Sequence, residues 1–221
     1  MKIRTLVIGL VSTAVLVGAS FANAGLILSS NFDGRTVSGA TATATFQTNG
    51  VSDPVAVEAD FNLFTTSASA NRIAVDRNLH NEGSWTATIG LDVEGNLIHM
   101  GIVSFQALIF NNRGALQGSN VSRDLDLSVA IVDTNDVELA SVELLNVYAA
   151  SGAWTPETVS FDFTGTTLAK GTSYFLAITA SGQGPGNNAG FDDLLVTGTI
   201  PAPAPLGLLG VGLLLLARRK A

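Results

Sequence analysis

The sequence predicts an all-β chain, an antiparallel β-sandwich of jelly-roll type spanning residues 25–200, with a leader before it and a short hydrophobic helix after it. Three observations carry this. Apolar and small polar residues alternate with period two in many short runs, the pattern of strands with one buried face. Gly, Asn and Asp separate the runs, supplying turn chemistry. No segment of comparable length carries a helical apolar stripe.

In chain order the runs are "TVSGATATATFQ" from Thr36, "PVAVEADFNLF" from Pro54, "SWTATIGLDV" from Ser84, "LIHMGIVSFQALIF" from Leu97 and "LDLSVAIVD" from Leu125. They continue with "VELASVELLNVY" from Val137, "ETVSFDFT" from Glu157, "SYFLAITAS" from Ser173 and "FDDLLVTGTI" from Phe191. Asp133-Thr134-Asn135-Asp136 lies between two of them and predicts a hairpin turn, so its acids are turn formers rather than ligands. "GQGPGNNAG", residues 182–190, predicts a loop before the last strand. Strands of this number and spacing pack as two antiparallel layers. "TATATF" alternates Thr with Ala and predicts a row of hydroxyls on one face.

At 221 residues the chain is long enough for one domain with a sizeable core. It has no cysteine, which excludes disulfides, thiolate metal sites and a Cys nucleophile. Five of its 11 bases lie in the terminal segments, leaving six against 18 acids, a formal charge of −12 on the middle. Such a surface repels nucleic acid, whose phosphates are bound by Lys and Arg.

The ends read as addresses. "MKIRTLVIGLVSTAVLVGASFANAG" has two early cations, an apolar stretch from Leu6 to Val17 and the small triplet Ala22-Asn23-Ala24, the pattern of a signal peptide over 1–24 cut between Ala24 and Gly25. Residues 201–221 form a second unit. The apolar run Leu206 to Ala217 has 12 residues, about 18 Å as a helix against a hydrocarbon core of about 30 Å, short for an ordinary span. Pro201, Pro203 and Pro205, interleaved with Ala202 and Ala204, favour extended backbone before it. Arg218, Arg219 and Lys220 prefer the cytoplasmic side and would stop translocation with the body outside, leaving the tail in contact with the membrane.

This order of proline motif, short apolar helix and basic end resembles the PEP-CTERM sorting signal of Gram-negative bacteria, with Pro-Ala-Pro-Ala-Pro standing where the family signature is Pro-Glu-Pro. The resemblance implies export by the secretion machinery, transient retention in the inner membrane, and cutting near the prolines by an exosortase, a membrane protease. The protein would then reach the cell surface or the exterior.

The second half, from "DLDLSVAIVDTNDVELASVEL" through "WTPETVSFDFTGTTLAKGTSYFLAIT" to "AGFDDLLVTG", resembles the jelly-roll domains of carbohydrate-binding modules. That likeness implies a structural calcium between an acid near the first strand and an Asp in the last. "SSNFDG" and "AGFDDLLV" occupy those places, nominating Asp33 and Asp192, with Asp193 a weaker third because neighbours in a strand point to opposite faces. Read from the residues alone, Asp33 forms a turn with Gly34 and Asp192 caps a strand edge. No other cofactor is required.

No catalytic residue is nominated. Phosphate-cradling loops and G-x-S-x-G are absent, and His80 and His99, the only histidines, are 19 positions apart with no H-E-x-x-H. His80 is expected in a loop and His99 on a strand face. Trp85 and Trp154 are the aromatic candidates for stacking on a sugar ring, set against burial in the core. The expectation is an exported, exosortase-sorted β-sandwich, a structural or exopolysaccharide-associated binding component. The alternatives are a secreted polysaccharide hydrolase or lyase using paired carboxylates, and a single-pass protein held at the membrane by its C terminus.

Overall fold

The computed structural model describes residues 25–52, 56–63, 72–75, 83–110, 124–147, 157–183 and 188–201. The leader, the apolar run 206–217 and the basic end lie outside these residues, as do His80 and Trp154. Among the described residues there are fourteen strands and no helix, so none long and apolar enough to cross a membrane.

The strands are β1 (Gly25–Ser30), β2 (Thr36–Ser38), β3 (Thr41–Thr43), β4 (Gln47–Thr48), β5 (Val57–Ala59), β6 (Ile73–Ala74) and β7 (Trp85–Asp92). There follow β8 (Ile98–Phe110), β9 (Asp124–Asp133), β10 (Glu138–Leu144), β11 (Glu157–Asp162), β12 (Thr167–Leu168), β13 (Ser173–Gln183) and β14 (Asn188–Thr199). One sheet, here sheet A, runs β11-β8-β14-β1-β4, with β12 also on β8 and β6 also on β14. The other, sheet B, runs β10-β9-β13-β7-β5-β3-β2. All pairings are antiparallel.

Period-two alternation determines which face each strand buries. Along β7, Trp85, Ala87, Ile89 and Leu91 are buried while Thr86, Thr88 and Gly90 between them are not. On β13 the buried set is Tyr174, Leu176, Ile178 and Ala180. These residues join Ile27, Val103, Phe105, Phe161, Phe191 and Val196 of sheet A in one apolar core, which makes the two sheets a β-sandwich. Phe191 is the aromatic hub, its ring 5.5 Å from Phe32, 5.8 Å from Phe105 and 6.4 Å from Trp85.

The hairpin expected at residues 133–136 is present. Asp133 Oδ1 accepts from the N–H groups of Asn135 at 2.7 Å and Val137 at 2.9 Å, and Asp136 takes the left-handed φ of 59° that closes the turn.

Three expectations are corrected. Residues 36–47 are not one strand: Gly39 adopts φ 60°, so the chain turns back between β2 and β3, and the following β4 belongs to the other sheet. The row of hydroxyls therefore shortens to Thr41 and Thr43 in β3. The loop expected over 182–190 is narrower, because Gly182 and Gln183 extend β13 against Leu125 and Asp124, and Asn188 to Gly190 start β14 against Phe110 to Leu108. Partner strands recruited residues whose intrinsic preference is for turns. β1 was not anticipated at all.

Gly190 stands where β14 has no room for a side chain. β6 crosses it so closely that a Cβ there would stand 2.8 Å from Ala74 Cα and closer still to the Ile73 carbonyl oxygen. Gly190→Ala is expected to push β6 away and cost about 1–3 kcal/mol, the range for overpacking a tight site. Chemical denaturation of the variant beside the wild type measures this, and equal midpoints would show that β6 yields freely.

Candidate functional site

The site is built where β1 ends against a bulge in β14. Ser30 is buried, its hydroxyl donates to the Thr45 carbonyl at 2.8 Å, and its oxygen accepts from the Phe32 N–H at 3.1 Å. That turn carries Phe32 into the core with a left-handed φ of 52° and leaves Asn31 and Asp33 outside. Asn31 Nδ2 donates to Asp33 Oδ2 at 2.7 Å and Asn31 Oδ1 accepts from the Asp33 N–H at 3.2 Å.

In β14 the register shifts between Asp192 and Leu195, and Asp193 has φ 48°. The bulge breaks the alternation that was expected to separate Asp192 from Asp193. The Asp193 N–H donates to Asp192 Oδ1 at 2.8 Å, and Gln106 Nε2 donates to Asp193 Oδ2 at 2.7 Å. Arg72 Nε stands 3.8 Å from Asp192 Oδ2. Beside this cluster, Ser29, Asn31, Thr45, Gln47, Asp193 and Leu195 border an open groove of about 370 Å³.

Burial pushes the Asp192 carboxyl up to about 6. The Asp193 N–H and the Arg72 charge oppose this, while the charges of Asp193 and Asp33 act with burial. Burial lowers the Arg35 guanidinium from its ordinary value, opposed by the charge of Asp192. Asp33, Asp192 and two arginines therefore feel one another across about 160 positions of sequence.

The structure thus brings the two nominated aspartates within electrostatic reach, but the donor set does not fit calcium. One Asp192 oxygen faces a guanidinium and the other accepts a backbone N–H, whereas Ca²⁺ takes six to eight oxygens. Among the described residues no three His, Cys, Asp or Glu are grouped to hold a metal. Arg35 and Arg72 are the site residues that sequence reasoning missed. The available signal was scarcity, since only six bases in the middle of the chain face 18 acids and each has many partners to choose from.

The other nominated residues fall as follows. Trp85 is 1% exposed, so its ring offers no platform to a sugar; the start of β7 points it inward toward Phe191. His99 is exposed on β8, its Nδ1 hydrogen-bonded to Thr167 Oγ1 at 3.0 Å. Gly25 opens β1, and Ala22 and Ala24 lie outside the described residues. Pro201 is described and its carbonyl accepts from Asn96 Nδ2 at 3.2 Å, while Ala202, Pro203, Ala204, Pro205, Arg218, Arg219 and Lys220 are outside.

No family model matches the chain, and no curated protein matches it. Among solved structures it is similar to TmCBM61 in complex with β-1,4-galactotriose, at 13% identity and TM-score 0.34 over 76% of this chain and 90% of that one. It is similar to the K3 cleaved adhesin domain of Lys-gingipain from Porphyromonas gingivalis W83, at 16% identity and TM-score 0.36 over 79% of this chain and 99% of that one. An arabinose-bound MgGH51 α-L-arabinofuranosidase gives 12% identity and TM-score 0.38 over 78% of this chain, which spans only 27% of that enzyme. Likenesses of this size carry no argument about ligand or activity, and the fold rests on the strand pairings themselves.

Two outcomes test the site. A carboxyl that keeps its proton to higher pH when folded contributes stability that is full below about pH 4 and is lost as pH rises toward about 6. Asp192 is such a group. Asp133, lowered by the Val137 and Asn135 N–H groups, and Asp162, lowered by Thr164, act oppositely: their contribution is present above about pH 4 and lost as pH falls further. The melting temperature is expected to climb on acidification from neutrality to about pH 5 and to drop below about pH 4, with Asp192→Asn flattening the upper limb. Thermal unfolding by circular dichroism across pH reads both limbs, and an unchanged upper limb in the variant would remove Asp192 as its source. Second, excess Ca²⁺ over EDTA is expected to leave the wild-type melting temperature unmoved. A rise abolished by Asp33→Asn would instead establish the metal.

Proposed function

We propose that the chain is an exported β-sandwich protein, jelly-roll-like in its body, that is sorted through its C-terminal segment to the cell surface or exterior. There it serves as a structural component associated with exopolysaccharide. One observation carries the sorting part. Gly25, the residue expected to follow leader cleavage, pairs with Gly198 near the end of β14, three positions before Pro201 opens the proline motif. The start of β1 and the end of β14 thus lie side by side at one end of sheet A, so both terminal segments would leave the body there.

In this reading the leader starts translocation, the tail arrests it with Arg218, Arg219 and Lys220 on the cytoplasmic side, and an exosortase-type protease cuts near the prolines. Ile200 packs against the core and Asn96 holds the Pro201 carbonyl, so that peptide is tied to the body. The scissile bond then falls beyond Pro201. A protease needs extended backbone, which the following Ala and Pro residues favour. The formal charge of −12 supports a partner that is neither nucleic acid nor an acidic polymer.

Intact mass of protein harvested outside the cells tests this directly. The expected species begins at Gly25 and ends between Ala202 and Pro205. Extracellular material still carrying Lys220-Ala221 would overturn the sorting reading in favour of a persistent anchor.

A further inference from the structure

We infer that the outer face of sheet B carries a binding site for a neutral hexopyranose unit of a polysaccharide, centred on Phe175 and floored by Gly90. The inference rests on the exopolysaccharide reading above and names the site that would serve it.

Phe175 departs from its surroundings. The outward positions of β7 and β13 around it are small or hydroxylated, namely Thr86, Thr88, Ala177 and Thr179, as are Ser128 and Ala130 on β9; the 37% exposed phenyl ring has one larger apolar neighbour on this face, its cross-strand partner Val132 on β9. Alternation makes its position deliberate: Tyr174 and Leu176 on either side are in the core, so Phe175 cannot be. Its cross-strand partner on β7 is Gly90, where a Cβ would meet nothing within 4 Å. The missing side chain opens a hollow of about 240 Å³ bordered by Phe175, Gly90, Thr88, Glu58 and Ala56.

The hollow's chemistry selects its occupant. It is smaller than the range of about 300–1,000 Å³ typical of drug-sized ligands, which suits one ring of a longer polymer running across an open sheet. A pyranose has an apolar C–H face and an equatorial rim of hydroxyls. The phenyl face takes the first by stacking, and the Glu58 carboxylate accepts from the second in a charge-assisted hydrogen bond. Glu58 is exposed, and the Thr88 hydroxyl donates to the Glu58 backbone carbonyl at 3.4 Å, so the Thr88 oxygen keeps lone pairs with which to accept from a sugar hydroxyl. Glu58 and the acidic body together repel uronic acids. The polymer is therefore neutral.

The test is affinity electrophoresis of the full chain in mild detergent through gels containing dextran, galactan or glucomannan, with polygalacturonate as the acidic comparison. At least one neutral polymer is expected to retard the wild type, and polygalacturonate is not. Phe175→Ala is expected to weaken retardation about tenfold or more, and Phe175→Trp to keep it. Gly90→Val fills the hollow without touching the stacking residue and is expected to abolish retardation. Both side chains point to solvent, so melting temperatures should stay at the wild-type value and separate lost binding from lost folding. Retardation of the wild type matched by Phe175→Ala and Gly90→Val would overturn this site while the exopolysaccharide reading stood. Stronger retardation by polygalacturonate would overturn its specificity. Wild type that no polymer retards would overturn both.

Discussion

The structure depends on β14. It lies at the centre of sheet A, hydrogen-bonded to β1, β6 and β8, and it carries Phe191, which three other aromatic rings contact, Phe105 from the neighbouring β8, Phe32 from the turn after β1 and Trp85 from the opposite sheet. Burying one such ring stabilises by about 1.5–3 kcal/mol, and edge-to-face neighbours add to that. Because Phe191 is locked inward, Asp192 is turned toward the rim of the core. The bulge that follows can then re-aim Asp193 without moving the ring. The half-buried carboxylate is thus a consequence of aromatic packing one residue earlier in the chain.

That placement has an electrostatic cost, met locally. Of six bases in a body with 18 acids, Arg35 and Arg72 stand near Asp192. Burial nevertheless dominates, and the carboxyl is pushed up rather than down. The arginines therefore compensate for an aspartate whose position is dictated by packing. This differs from a metal cage, in which acids outnumber bases and their oxygens converge. Asp33 adds repulsion to the cluster rather than a third point of coordination.

The strands β7 to β11, β13 and β14 were legible because alternation is a local property: the buried and outward residues of "SWTATIGLDV" and "SYFLAITAS" can be read two at a time, whereas the two-residue β12 is too short to show a period. β1 was not, because "GLILSS" follows an apolar leader and merges with it in any hydropathy window. The turn at Gly39 hid inside an unbroken alternating run, since a glycine keeps the period while reversing the chain. The site was legible only in part. Asp33 and Asp192 were found through likeness, whereas the arginines that define their chemistry lie in unrelated segments. Trp85 was open between stacking on a sugar and burial in the core, because alternation identifies two faces without saying which one is inside, and the structure settles it as core.

Phe175 shows the same limit from the other side. Its exposure follows from alternation within β13, but Gly90 is brought beside it only by the β7–β13 pairing, 85 positions away in sequence, and Glu58 only by the next pairing outward. The three elements belong to sheet B, whereas Gly25 and Pro201 lead out of sheet A. The two ends of the described body and the exposed Phe175 ring therefore belong to different layers of the sandwich, with the core between them. The pairings of β5, β7 and β13 all lie within sheet B and include no residue next to either terminal segment, so under the proposed processing neither cut falls in the strands that carry Phe175, Gly90 and Glu58.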